Sequence, residues 1–242
     1  KLIDTQLHKI GDDKKYALAA SLKAGLIAYR TEFGIKRGGA ETILEKASDL
    51  VCGDVFVIQG QSNAEAWTDQ RVVHPYRSPW LRSFGTPSTN KDRARDAVWG
   101  NALSFNGGPN HHHYQIGYWG VELGKTLIET HKMPICIING AQGGTRIDQH
   151  QRNEDDPTDV TTIYGRLLWR LQQAKLTHGV RAVLWHQGEN DQGESGATGA
   201  FGWVNYEEYF IRMSAAWKQD YPNIKHYYIH QIWPGACGSR SV

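Results

Sequence analysis

The sequence predicts an α/β domain, a parallel sheet with helices on both faces, and three observations lead there. Four short apolar runs, residues 55–59, 134–139, 180–185 and 226–232, are continuous rather than alternating, as strands buried on both faces are. Helical periodicity falls between them. Turns rich in glycine and polar residues follow the first three runs directly.

Taken in chain order, residues 1–52 stand apart. Asp12-Asp13-Lys14-Lys15 marks a polar turn. From Ala24 to Ile35, β-formers (Leu26, Tyr29, Phe33, Ile35) mix with polar residues until Lys36-Arg37-Gly38-Gly39 breaks the pattern. This predicts the remnant of an upstream β domain, with residues 47–53 as the linker into the main domain. From residue 53 onward the pattern is βα alternation. A helix over 119–131 carries Leu123, Leu127 and Ile128, and one over 162–177 lines up Ile163, Leu167, Leu171 and Ala174. A third over 205–220 bears Tyr206, Tyr209, Phe210, Met213 and Trp217 at i, i+3, i+4, i+7 and i+11, a core stripe, with Asn205 as N-cap and Pro222 as stop. Residues 68–118 read as a long irregular insert rich in Pro, Gly, Asn, Arg and Trp. Inserts of that length are usually functional, and ligands of open α/β sheets bind beyond the carboxyl ends of the strands. The insert is expected to cover that edge.

Composition excludes several classes. A chain of 242 residues with 40% hydrophobic and 21% charged residues can build its own core. Its net charge is +2 with both signs interspersed, so neither a nucleic-acid stripe nor a patch for an acidic membrane is expected. No apolar run approaches the roughly 20 residues that span a bilayer. Cys52, Cys136 and Cys237 form no C-x-x-C, and His111-His112-His113 has no acidic neighbour; both read as structural, and neither as a metal site. Gly124-Lys125-Thr126 lacks the upstream glycine of a phosphate-binding loop and lies inside a helix.

The three turns carry the chemistry. Gly60-Gln61-Ser62-Asn63 presents a serine hydroxyl where a strand passes into a helix. Gln142-Gly143-Gly144-Thr145 lets backbone N–H groups approach a ligand with no Cβ in the way. His186-Gln187-Gly188-Glu189-Asn190-Asp191 offers side-chain amides that can donate to an oxyanion. Taken singly, each could be a cap or a connecting turn. Together, at one edge of a parallel sheet, they are the parts of an acyl-transfer site without its base. The missing second glycine after Ser62-Asn63-Ala64 disfavours an α/β-hydrolase elbow.

In this order and spacing the three blocks resemble the SGNH hydrolase superfamily, and within it the sialate O-acetylesterase and acetylxylan esterase group, from about residue 49 to the C-terminus. The resemblance implies a three-layer, flavodoxin-like domain that deacetylates carbohydrates without a cofactor. It implies Ser62 as nucleophile and the N–H groups of Ser62 and Gly144 as oxyanion donors. Asn190 or Gln187 would be the third donor. Gln61, Asn63, Arg146 and Glu189 are candidates for the substrate side, Arg146 for a sugar carboxylate and Glu189 as an orienting group. The nine Trp and eleven Tyr fit a sugar site, with Trp67, Trp80, Trp99, Trp119 and Trp203 in or near loops. An acetylated carbohydrate is the expected partner, with no nucleic acid and no membrane; the sequence sets no oligomeric state. Only the resemblance favours a secreted or periplasmic setting.

The sequence departs from the family in one respect. The late Asp-x-x-His block that supplies acid and base is missing, since no Asp has His three residues on. The expectation is an internal fragment of a longer protein, in which residues 53–242 form the esterase domain short of that block. His150, His186 and His230 are weaker candidates for the base. The rival from another class is a non-catalytic carbohydrate-binding protein with an esterase-like fold. A third reading, an esterase of non-sugar acyl esters, is disfavoured by the polar, Trp-rich insert.

Overall fold

The computed structural model describes residues 4–11, 15–66, 73–104, 113–191 and 205–232. In chain order the elements are β1 (Tyr29–Arg37), β2 (Ala40–Leu50), β3 (Asp54–Gly60), α1 (Ser62–Glu65), β4 (Leu81–Phe84), α2 (Lys91–Ala94), β5 (Trp99–Asn101), α3 (Tyr118–His131), β6 (Ile135–Asn139), α4 (Ile163–Gln173), β7 (Val180–His186), α5 (Tyr206–Asp220) and β8 (His226–Ile229). β1 and β2 form an antiparallel hairpin through Gly38 and Gly39 that shares no ladder with the other strands.

The remaining six strands form one sheet in the order β5-β4-β6-β3-β7-β8. All neighbours are parallel except β4 and β5. The apolar runs explain the three layers. In β6, Cys136 and Ile138 join one core, while Ile135 and Ile137 join the other. Val55 and Val57 of β3 face the same side as Cys136 and Ile138, under Leu167 and Leu171 of α4 and Met213 and Trp217 of α5. Ile58 faces the opposite side, with Ala64 of α1 and Val121 and Ile128 of α3. The stripe read on the third helix is core: Met213 and Trp217 are fully buried. No described helix is long and apolar enough to cross a membrane.

The structure corrects the reading of the insert. It supplies β4 and the antiparallel edge strand β5. β4 is four residues long, with Arg82 and Ser83 at its centre, and β5 is the tripeptide Trp99-Gly100-Asn101. Neither is long or apolar enough to register as periodicity; tertiary contacts hold them in the sheet. Chief among these is Arg170 of α4, fully buried. Its Nε and Nη2 donate to Phe84 O at 2.9 and 2.7 Å, and Nη1 donates to Asn139 O at 2.7 Å. One guanidinium thus closes the carboxyl ends of β4 and β6.

Candidate active site

β3 ends at Gly60, whose φ of +140° and close approach to His186 O, 2.0 Å from where a Cβ would stand, admit only glycine. Gln61 follows, buried, and its N–H donates to His186 O at 3.0 Å. The N–H groups of Ala64 and Glu65 then return to Gln61 O, each at 2.9 Å, closing the single turn of α1. Ser62 opens that turn and is exposed at the carboxyl edge of a central strand.

The second block is tied to the first by Gln142 N–H, which donates to Gly60 O at 3.0 Å. Thr145 Oγ1 donates to Gln142 O at 2.6 Å and lies 2.8 Å from His150 Nε2. Because the threonine proton is spent on Gln142, His150 must donate through Nε2, leaving Nδ1 to accept from Gln59 Nε2 at 3.5 Å. Burial, with a smaller push from the Arg166 charge, lowers the His150 pKa to about 3. It is a neutral structural histidine. Gly144 is exposed at φ +73°, and a Cβ there would lie 4.0 Å from Asn190 Nδ2.

The third block is held by Gln61. Its Oε1 accepts from Gln187 Nε2, Gly188 N–H and Asn190 N–H, each at 3.2 Å. Its Nε2 donates to Asn190 Oδ1 at 3.3 Å, which occupies the oxygen of that amide. Gln187 Nε2 also donates to Thr145 O at 3.0 Å and to Asp191 Oδ2. The Gln187 amide is therefore spent inside the protein, linking the second and third blocks. Asp191, whose carboxyl pKa is raised by burial, accepts in addition the Ile147 N–H at 3.1 Å.

A second cluster flanks α1. Glu189 Oε1 accepts from Asn63 Nδ2 at 2.5 Å and lies 3.2 Å from His186 Nε2. Burial pushes the Glu189 carboxyl up most strongly, but the His186 and Asn63 hydrogen bonds together bring it below its ordinary range. His186 stacks on His230 at 4.9 Å, and Trp119, 5.5 Å from His230, donates Nε1–H to Asn63 O at 2.8 Å. The partners of His150, His186 and His230 lie in these networks, and none of them is Ser62.

The structure brings Ser62, Gly144 and Asn190 together, with Gln61 and Gln187 beneath them and Asn63 and Glu189 to one side. Arg146 is committed elsewhere: its Nε and Nη2 hold both carboxylate oxygens of Asp148 at 2.6 and 2.8 Å. Two residues of the site were not singled out from sequence. Glu65, one helical turn after Ser62, accepts the Gly143 N–H; burial raises its pKa to about 7 against that bond and the Arg166 charge. Arg166, buried on α4, donates to Gln142 Oε1 and to Thr161 O at 3.4 Å. The i, i+3 spacing from the serine was the available signal for Glu65.

Beside the second block opens a polar groove of about 490 Å³, lined by Thr89, Lys91, Gln142, Gln149, Thr161, Thr162, Ile163 and Arg166. Trp80 packs against the core and Trp99 against Phe84; Trp67, Trp203, His111, His112 and Cys237 lie outside the described residues. Among the described residues, no three His, Cys, Asp or Glu side chains are grouped to hold a metal ion.

Residues 52–225 match the family described as carbohydrate esterase, sialic acid-specific acetylesterase. No curated protein matches the chain. An X-ray structure of an Arabidopsis thaliana protein is similar with a TM-score of 0.54 at 18% identity, over 76% of this chain and 75% of that one. The structure of a carbohydrate acetylesterase from Xanthomonas citri is similar with a TM-score of 0.54 at 22% identity, over 86% of this chain and 48% of that one. The chain thus spans about half the length of the Xanthomonas citri protein. At these identities the two structural likenesses bear on the fold.

Proposed function

Because the chain belongs to the carbohydrate esterase, sialic acid-specific acetylesterase family, we propose that it removes O-acetyl groups from carbohydrates with Ser62 as nucleophile. The observation that carries the reading is the convergence of an exposed serine, an exposed glycine N–H and a half-buried amide at the ends of three adjacent strands. Ser62 Oγ attacks the acetyl carbon while a base takes its proton. The oxyanion is met by the N–H groups of Ser62 and Gly144 and by Asn190 Nδ2. Collapse breaks the ester C–O bond, the sugar hydroxyl leaves with the proton, and acetyl-Ser62 remains. Water then attacks the acetyl carbon, acetate departs and the serine regains its proton. His150 and His186 do not serve as the base in this reading, since each is engaged as described.

Asn190 is preferred to Gln187 as third donor because Gln61 holds the Asn190 oxygen and leaves its NH₂ on the Gly144 side. With Arg146 paired to Asp148, the groove with Lys91 and Arg166 takes over as the surface for the sugar. The test is acetate release from an O-acetylated sugar. Ser62→Ala is expected to lower kcat by at least about 10³-fold; a variant that keeps the parent rate refutes the mechanism.

One observation favours the binding-protein reading: the partners found for the described histidines do not include Ser62. A protein that binds acetylated sugar yet releases no acetate, with or without Ser62, would decide for it.

A further inference from the structure

We propose that Glu65 is a positioning residue for this reaction, holding the Gly143 N–H, and with it the turn that carries Gly144, so that the Gly144 N–H is aimed at the oxyanion. The inference rests on the reading of Ser62 given above and assigns a task that the three sequence blocks do not contain.

Glu65 closes the one-turn helix that Ser62 opens, so the two side chains rise from the same turn. Between them lies Gly143. A Cβ at Gly143 would stand 2.8 Å from Glu65 Oε2 and 3.6 Å from Ser62 Cβ. The carboxylate and the serine therefore flank one Cα, and the glycine is there to let them. Glu65 accepts the Gly143 N–H. Two consecutive glycines have wide backbone freedom, and Gly144 must hold φ +73° while lying exposed. Fixing the N–H of the first glycine leaves only that residue's own φ and ψ between the anchor and the Gly144 N–H.

The carboxyl group is confined for this task. The small cavity beside it is lined by Pro87, Ser104, Gln115, Gly117, Asn139 and Ala141, none of them charged. The charged group that acts on it is Arg166 of α4, itself tied to Gln142 Oε1 in the same turn. Asn139 Nδ2 donates to Ala64 O at 2.8 Å, anchoring the turn from below. Serine, carboxylate and glycine pair are thus cross-linked within one turn of chain on each side.

The test compares two variants of matched size in the full chain. Glu65→Gln keeps an oxygen that can accept the Gly143 N–H; Glu65→Met fills the same space without one. Steady-state kinetics on an O-acetylated sugar should show kcat falling about 10- to 100-fold in Glu65→Met, a fraction of what losing an oxyanion donor outright costs. KM should stay within about threefold, because the oxyanion forms after binding. Glu65→Gln should recover at least about tenfold of that kcat. Equal kcat in the two variants, or a loss in Glu65→Met confined to KM, overturns the proposal. Should Glu65→Met not fold, Glu65→Ala replaces it under the same criteria. A Ser62→Ala variant that remains active removes the underlying mechanism instead, so the two failures are told apart.

Discussion

Asn190 and Gln187 carry amides into the same turn three residues apart, and their hydrogen bonds give them different work. Asn190 has its oxygen bound by Gln61 and its nitrogen beside Gly144. Gln187 has its nitrogen divided among Gln61, Thr145 and Asp191. Asn190→Ala is expected to lower kcat by about 10²–10³ with little change in denaturation midpoint. Gln187→Ala is expected to cost about 1–3 kcal/mol, because it strips buried acceptors of their donor. Urea melts and kinetics on both variants check the division; the reverse pattern would exchange the roles. At this scale the sequence showed the three blocks and their order. It did not show Gln61 as the clamp, because the donors to its Oε1 lie 126 to 129 positions further along the chain. Nor did it show that Arg146 is neutralised two residues away by Asp148, a pairing that a short 3₁₀ turn creates and helical spacing does not.

Among the elements, β3, β6 and β7 were legible because each is a mainly apolar run that the sheet buries on both faces, whereas β8, read the same way, is an edge strand and mostly exposed. β4 was not, and its place depends on a side chain from another layer. Arg170 lies on the sheet-facing side of α4, where it satisfies Phe84 O and Asn139 O. Burial lowers its pKa only to about 9, so it is a cation at neutral pH. Arg170→Ala would leave two carbonyls without their donor above an empty space. The expected loss is about 3–5 kcal/mol by chemical denaturation. A loss below about 1 kcal/mol would mean that β4 is held by its ladders with β6 and β5. The helices were legible for the ordinary reason of a one-sided stripe, yet Arg166 and Arg170 sit on the buried side of theirs. Charge alone would have placed both in solvent.

For the molecule as a whole, buried His150 and half-buried Glu65 pull stability in opposite directions with pH. His150 has its pKa at about 3, below the ordinary 6.5, so its contribution is complete above pH 6.5 and is lost as pH falls toward 3. Glu65 has its pKa at about 7, above the ordinary 4.5, so its contribution is complete below pH 4.5 and is lost as pH rises through 7. The melting temperature should therefore peak between about pH 5 and pH 7. Between pH 6.5 and pH 4, His150→Asn should fall less steeply than the parent; parallel slopes would remove His150 as a cause of acid lability. The arrangement of the sheet also has a consequence for how such a protein can change. The groups assigned to the proposed reaction follow the ends of β6, β3 and β7, adjacent strands at the centre of the sheet. The groove beside them takes Thr89 and Lys91 from the segment between β4 and β5, and Thr161 and Thr162 from the stretch that leads into α4. On the proposed reading, substitutions in those segments change the choice of sugar while Ser62, Gly144 and Asn190 keep their places.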